Sequence, residues 1–528
     1  MEQGLPHKDS ITSTEPRNIA QAQLPPDSQW LLQATHRRIS LSPVDQLPQQ
    51  YTAAMPVFKR SSTSLNSEYE RLRRAYVNTD VREVYPQEIH LVSSVADVQQ
   101  AVENARALGA KIGIRSGGHS YSNNSLIGDG VLVDTSNLNR GVDYDPTLHE
   151  ISFGPAVRVR ELSEALQKIG RFFPHGHSPT VAAGGFILNG GQGFFCPTWG
   201  PTVDQWVTAM EIVTPDGQVR IASKTQNADL FWAARGAGLA FFGILTKIWG
   251  RTIPARKMFT KSMIFDVKNN LEDLLYWSLH TSSLVPKWGT EHAIFTHYPE
   301  RFDPNLTNDD VPSPARLHFG IFASTYVDTK EEAQALLSPW NNIPASLHII
   351  QSEEVEEMAW SHFFDIQDSM VPTVADMKWQ INSILSEPTI PLKQLCKSVV
   401  PAMTNLPTRR SVGNIFCSFF TANERDHLCA LPQQYYISTF TQWMDKSLQP
   451  EIYDYMADTY AILYPSAAGM YIADWDPFDE RQAQVKVWTD FGLKRFLEIR
   501  AKYDPEDFFP NYKPLAAAAA SRASLTQP

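Results

Sequence analysis

Cysteine is scarce: four in 528 residues, at 196, 396, 417 and 429. No two are spaced as C-x-x-C, so neither a zinc knuckle nor a disulfide framework is indicated. Reduced thiols in an intracellular, cytoplasmic chain are the economical expectation. Long apolar runs are missing too. The densest, from Gly238 to Leu245, falls well short of the roughly 18 residues that cross a bilayer. The opening MEQGLPHKDSITSTEP lacks the apolar centre of a secretory signal. There is no excess of basic charge: 46 Lys and Arg stand against 57 Asp and Glu, a net charge of −11. Such a surface repels phosphate backbones, which excludes nucleic acid and anionic membrane as expected partners. No internal repeat is present. What the chain does have is 43% hydrophobic and 20% charged residues, enough for one or more sizeable cores.

Glycine placement organises the sequence. Of 27 glycines, 15 fall between residues 113 and 200 and five more between 217 and 250. A cluster this dense suits loops drawn around a ligand, because glycine lets backbone approach closely. The first 60 residues hold seven prolines and eight glutamines and predict an extended or poorly ordered arm, taken to residue 74. The flanking elements read as α+β. Strands are expected at 88–92, 111–115, 130–134 and 150–153. Helices are expected from the Ser94 cap to Gly109 and over 160–169. The run 206–214 alternates and meets the turn Pro215-Asp-Gly217, a hairpin signal. Beyond about residue 255 glycine thins and aromatics increase. Strand-like runs at 259–267, 317–326 and 413–420 alternate there with helices expected at 330–337, 434–446 and 478–502. The alanine-rich segment 516–528 predicts a disordered tail.

Three constellations carry chemistry. In Ile114-Arg-Ser-Gly-Gly-His-Ser-Tyr121 a strand delivers a glycine pair whose amides can form an anion-binding nest, followed directly by a histidine. In Pro179-Thr-Val-Ala-Ala-Gly-Gly-Phe-Ile-Leu-Asn-Gly-Gly-Gln-Gly193 five glycines occupy ten positions. That is neither G-x-G-x-x-G after a strand nor a Walker loop. The third, Asn227 to Thr246, is a short helix running into a glycine loop and a strand. The pair His175-Gly-His177 could ligate a metal, but no third ligand of suitable type is near in sequence, so no metal is expected. His177 is instead a candidate hydrogen-bond donor.

The order RSGGHS, PTVAAGGFILNGGQG and NADLFWAARGAGLAFFGILT, with Tyr503-Asp-Pro-Glu-Asp-Phe-Phe-Pro-Asn511 at the end, resembles the FAD-linked oxidases with a vanillyl-alcohol-oxidase-type (PCMH-type) flavin domain. Within them it is similar to the berberine-bridge-enzyme-like branch. The resemblance is dense over residues 80–255 and again over 495–515. It implies FAD bonded covalently through His119. The cofactor would lie against Arg115, Ser116, Gly117, Gly118 and Ser120, then Ser178, Thr180, Val181, Gly184, Gly185, Asn189, Gly190, Gly191, Gln192 and Gly193, with Gly243, Ile244 and Asn511 completing the set. Many members attach FAD a second time through a cysteine in G-x-C-P-T-V. Here Ser178 holds that position, which implies a single attachment. A valine at 181 resembles the oxygen-using members. The usual Y-x-N motif reads Tyr471-Ile-Ala473, without its asparagine. Tyr121, His177 and Tyr471 remain the catalytic candidates. Lys513 either supports the reduced flavin or is a surface lysine.

The implied architecture is a two-domain α+β flavoprotein. An FAD domain spans 75–255, and a substrate domain with an antiparallel sheet under helical cover spans 256–489. A segment 490–515 returns to the FAD domain. The implied activity is hydride transfer from a small organic substrate, an alcohol, amine, sugar or secondary-metabolite intermediate, with O2 reoxidising the flavin to give hydrogen peroxide. An oxidative cyclase, a dehydrogenase with another acceptor, and a binding protein that has lost turnover are the alternatives.

Overall fold

The computed structural model describes residues 54–60, 67–138, 141–267, 270–302, 316–370 and 376–525. Their apolar residues collect around two main cores. The first lies under two sheets. One is four-stranded, with Glu88–Leu91, Val131–Asp134 and Ile112–Arg115 parallel and Val57–Lys59 antiparallel at its edge. The other is five-stranded and antiparallel, and includes the hairpin Val207–Val213 and Val219–Ser223. The helix Val95–Ala107 covers the core with Val98, Ala101, Val102 and Ala105. Ser94 and Asp97 cap it reciprocally, satisfying amides that a helix start leaves open.

The second core sits on one face of a nine-stranded sheet. Alternation along the strands sorts the two faces. Ile321, Ile294, Ile415, Ile437 and Ile384 form one cross-strand row. That row packs under the helices Leu271–Leu284, Leu392–Thr404 and Gln449–Leu463. One residue away, Phe322, Ala293, Phe416 and Tyr436 form a second row, which faces a cavity. An aromatic cluster of Phe172, Phe194, Phe195, Tyr326, Trp360 and Phe363 packs separately from both cores.

Four expectations need correction. Residues 434–446, expected as helix, belong to the strand Gln433–Trp443. It is paired on both sides, and aromatic and β-branched residues there fit a pleated surface better than a helix. The helix expected from 478 starts only at Asp490, where Thr489 caps it by accepting from the Gly492 amide. Of the expected tail, residues 516–525 belong to the helix Lys513–Leu525, held by buried Leu515 and Ala518 and by Arg522 donating to the Ala483 carbonyl; residues 526–528 lie outside the described residues. Of the expected arm, residues 1–53 and 61–66 lie outside the described residues. Val57–Lys59 is a strand, and the helix Ser67–Arg73 buries Tyr69 and Leu72. After Asp490 the chain adds Phe496, Phe508 and Phe509 to the first core, and Ile112 donates to the Phe508 carbonyl at 3.0 Å.

Candidate active site

A cavity of about 500 Å³ runs between the glycine loops and the aromatic row of the large sheet. The strand Ile112–Arg115 ends at its wall. Arg115 is buried, donates to Asp134 and stacks over Tyr76 at 4.9 Å, which anchors the loop that follows. Ser116 donates to the Pro155 carbonyl at 2.6 Å. The backbone then turns through Gly118 at φ +68°, where a Cβ would stand 2.3 Å from the Ala75 carbonyl oxygen; only glycine fits. This turn presents His119 to the cavity. Its Nε2 lies 3.1 Å from Thr180 Oγ1. Burial, with the charge of Arg158 adding to it, holds the imidazole down at about 4; the ring is therefore neutral at physiological pH.

The second loop supplies Ser178, Val181, Gly184, Gly185, Asn189, Gln192 and Gly193 to the wall. Ser120, Gly243 and Asn511 complete it, with Asn511 donating to the Asn124 carbonyl. Four expected contacts stand behind the wall. Gly190 and Gly191 take positive φ and turn toward Cys429 and Thr202, Ile244 is buried as the first residue of its strand, and Thr180 reaches the cavity through His119. Lys513 is exposed and paired with Asp507 at 2.9 Å, away from the cavity wall.

The cavity fits a flavin dinucleotide. Nothing lies within 4 Å of where a Cβ on Gly185 would stand, although Gly185 is on the wall. The backbone there is open to the cavity and leaves room for a ligand to lie against it. The neutral imidazole of His119 on the same wall has the chemistry of a nucleophile, not of a cation.

Among the catalytic candidates, Tyr121 packs edge-on to His119 and against Trp379. Burial raises its phenol, and that of Tyr471, above the ordinary value. Both therefore stay protonated and are poor bases. His177 lies 2.7 Å from Glu291 Oε1, while Glu291 Oε2 accepts the Phe195 amide at 2.6 Å. The His177 ring packs against Phe194 and Phe416 at centroid distances of 4.2 and 5.1 Å. His175 is turned away, its Nδ1 on the Gly176 carbonyl.

The geometry adds a pair that sequence reasoning missed. Tyr436 donates to Asp474 Oδ2 at 2.7 Å, and both line the cavity. Burial pushes the Asp474 carboxyl up to about 6, the hydrogen bond from Tyr436 opposing it. A carboxylate poised there is ionised at neutral pH and still able to accept a proton, the condition for general-base work. Tyr436 was hidden by the helical reading of its segment. Asp474 could have been found three residues after Tyr471, in Tyr-Ile-Ala-Asp.

Residues 86–223 match the family described as FAD binding domain. The FAD-linked oxidoreductase nodO of Hypoxylon pulicicidum is 26% identical over 467 residues, 85% of this chain and 96% of that protein. The carbohydrate oxidase of Microdochium nivale is 26% identical over 451 residues, 80% of this chain and 86% of its own length. Its crystal structure superposes with a TM-score of 0.70 at 21% identity, over 86% of this chain and 96% of that one. Physcomitrella patens BBE-like 1 superposes with a TM-score of 0.70 at 19% identity, over the same shares.

Proposed function

The chain is an FAD-linked oxidoreductase with the fold of the berberine-bridge-like flavoproteins, and we propose that it is an oxidase of a largely apolar, ring-bearing alcohol or amine. The observation that carries this reading is the Tyr436–Asp474 pair on the wall of a cavity whose far flank is made of glycine loops and His119. FAD, which the loops 115–120 and 184–193 and His119 would hold, would supply the redox chemistry: acceptance of a hydride from the substrate carbon and transfer of its electrons to O2 as hydrogen peroxide. Ser178 at the position of the family's cysteine supports a single attachment.

The chain's own part is to bind, orient and deprotonate. Phe295, Phe322, Phe416, Phe440 and Ile381 form an apolar wall, which suits a ring system better than a sugar with hydroxyls on every side. The substrate O–H or N–H would donate to the Tyr436 oxygen while Tyr436 donates to Asp474. The proton comes to rest on Asp474, and the phenol is never left ionised. Ala293 is paired between Phe322 and Phe416 and is the small residue of that row.

The test is anaerobic mixing of the holoenzyme with xylobiose, benzylic alcohols and polycyclic secondary alcohols, followed at the flavin absorbance, and then admission of air with a peroxide assay. Bleaching by ring-bearing alcohols and one peroxide per turnover is the expected result. Bleaching by the sugar alone would overturn the substrate class, and reoxidation without peroxide would overturn the acceptor.

A further inference from the structure

Residues 77–82 tie the first glycine loop to the large sheet. On the loop side, the Val77 amide donates to the Gly118 carbonyl and Arg82 Nε to the Ser122 carbonyl. On the sheet side, Thr79 donates through its amide and its hydroxyl to the Met377 carbonyl. Asp80 accepts from Gln449, at the start of a helix that covers the sheet. Asn78 serves both sides. It is 3% exposed, and its Nδ2 donates to the Tyr121 carbonyl at 2.5 Å and to the Trp379 carbonyl at 3.1 Å. Its Oδ1 accepts from the amides of Trp379 and Asp80, each at 3.1 Å. Two carbonyls against the nitrogen and two amides against the oxygen fix the orientation of the side chain. Toward Trp379 it does what a neighbouring strand does, taking the N–H and C=O of one residue. Trp379 lies on the strand Lys378–Ser386, which pairs with Gln433–Trp443, the strand that carries Tyr436.

We propose that Asn78 is a positioning residue for substrate oxidation: one buried amide sets the spacing between the loop 115–121 and the wall that carries Tyr436. The proposal rests on the reading that this loop holds the flavin and that Tyr436 faces the substrate. On that reading the groups that take the hydride and the proton belong to different walls of the cavity, so whatever joins the walls sets the distance between them. Tyr121 packs against Trp379 and Phe440 across the same junction. Such apolar packing resists approach but not sliding, whereas hydrogen bonds are directional and fix the register. Few side chains replace this one. Aspartate has the shape but no donor, and glutamine is a methylene too long for the same four partners.

Asn78→Asp keeps both accepting contacts and loses the two donations that join Tyr121 to Trp379. Wild-type and variant holoenzymes are mixed anaerobically with whichever compound of the panel above bleaches wild type. The limiting reduction rate of the variant should fall about 100-fold, since a shift of about 1 Å between reacting groups costs that much. Half-saturation should stay within about threefold. Light-driven reduction with EDTA and deazaflavin needs no oriented hydride and should run at the wild-type rate. Independently of turnover, amide hydrogen exchange in residues 116–122 and 377–381 should quicken at least about fivefold, with residues 95–107 unchanged. A wild-type limiting rate, an equal loss in both kinds of reduction, or unchanged exchange in those two segments would each overturn the proposal. If Asn78→Asp is insoluble, Asn78→Ala makes the same comparison with room for water at the freed backbone groups; insolubility of both would make Asn78 a residue of the fold alone and overturn the proposal too. Wild type that no compound of the panel bleaches would instead remove the reading of the cavity on which the proposal rests.

Discussion

The substitution Asp474→Asn tests the base and its energetic cost together. It is isosteric, and the amide oxygen can still accept from Tyr436. What it removes is a charge. In the wild type the carboxyl is pushed up to about 6 from an ordinary 3.8, a difference worth at most about 3 kcal/mol. Because the folded value is the higher one, the fold binds this proton more tightly than the unfolded chain does. Wild-type stability is therefore unpenalised below pH 3.8 and declines as pH rises through about 6. The amide of the variant does not titrate and has no such dependence. Thermal melts of wild type and variant should nearly agree at pH 4 after any constant offset. By pH 8 the variant should gain up to about 3 °C, at about 1 °C per kcal/mol for a chain of this length. In the same variant, anaerobic flavin bleaching by the substrate found in the screen should slow by about 10²–10⁴-fold at pH 8. The wild-type rate should rise with pH through about 6 while the variant's stays flat. A variant that bleaches at the wild-type rate with the wild-type pH profile would falsify the assignment of Asp474 as the proton acceptor. A stability gap that does not widen between pH 4 and pH 8 would show that the carboxylate is not desolvated.

Tyr436→Phe breaks the relay without touching the charge, so reduction should slow by about 10²-fold or more while KM changes little; a change in KM alone would make Tyr436 a binding residue. Gly185→Val should give folded protein without flavin, because a Cβ there meets no protein atom within 4 Å and the side chain would enter the proposed cofactor site; normal flavin content with an unchanged circular dichroism spectrum would contradict the cradle. By contrast Gly190→Val should be insoluble for a packing reason, since a Cβ there lies 2.5 Å from Cys429 Sγ, and soluble, flavin-loaded protein would refute that. Val181→Leu adds a methylene on the cavity wall and should slow reoxidation by O2 while leaving reduction by substrate within about threefold; stopped-flow timing of the two half-reactions separates them, and an unchanged reoxidation rate would place the oxygen path elsewhere.

The glycine loops were legible because their constraints are local. A backbone that must turn through positive φ at Gly118 favours glycine whatever the rest of the chain does. The helix at 95–107 and the hairpin at 207–223 were equally readable, since caps, periodicity and turn residues act over a few positions. The site's proton chemistry is of another kind. Tyr436 and Asp474 are 38 residues apart, and His177 and Glu291 are 114 apart. Each pair forms only because strands of the large sheet, and the loops packed against them, bring those residues to one wall. The strand 433–443 was misread for the same reason: its preference for a pleated conformation is supplied by partners on both sides, and no window of its own residues contains them. Glycine pattern and motif order thus determined which loops line the proposed cofactor site, and strand pairing across the large sheet decided that Tyr436 and Asp474, the proposed proton path, meet on the same wall.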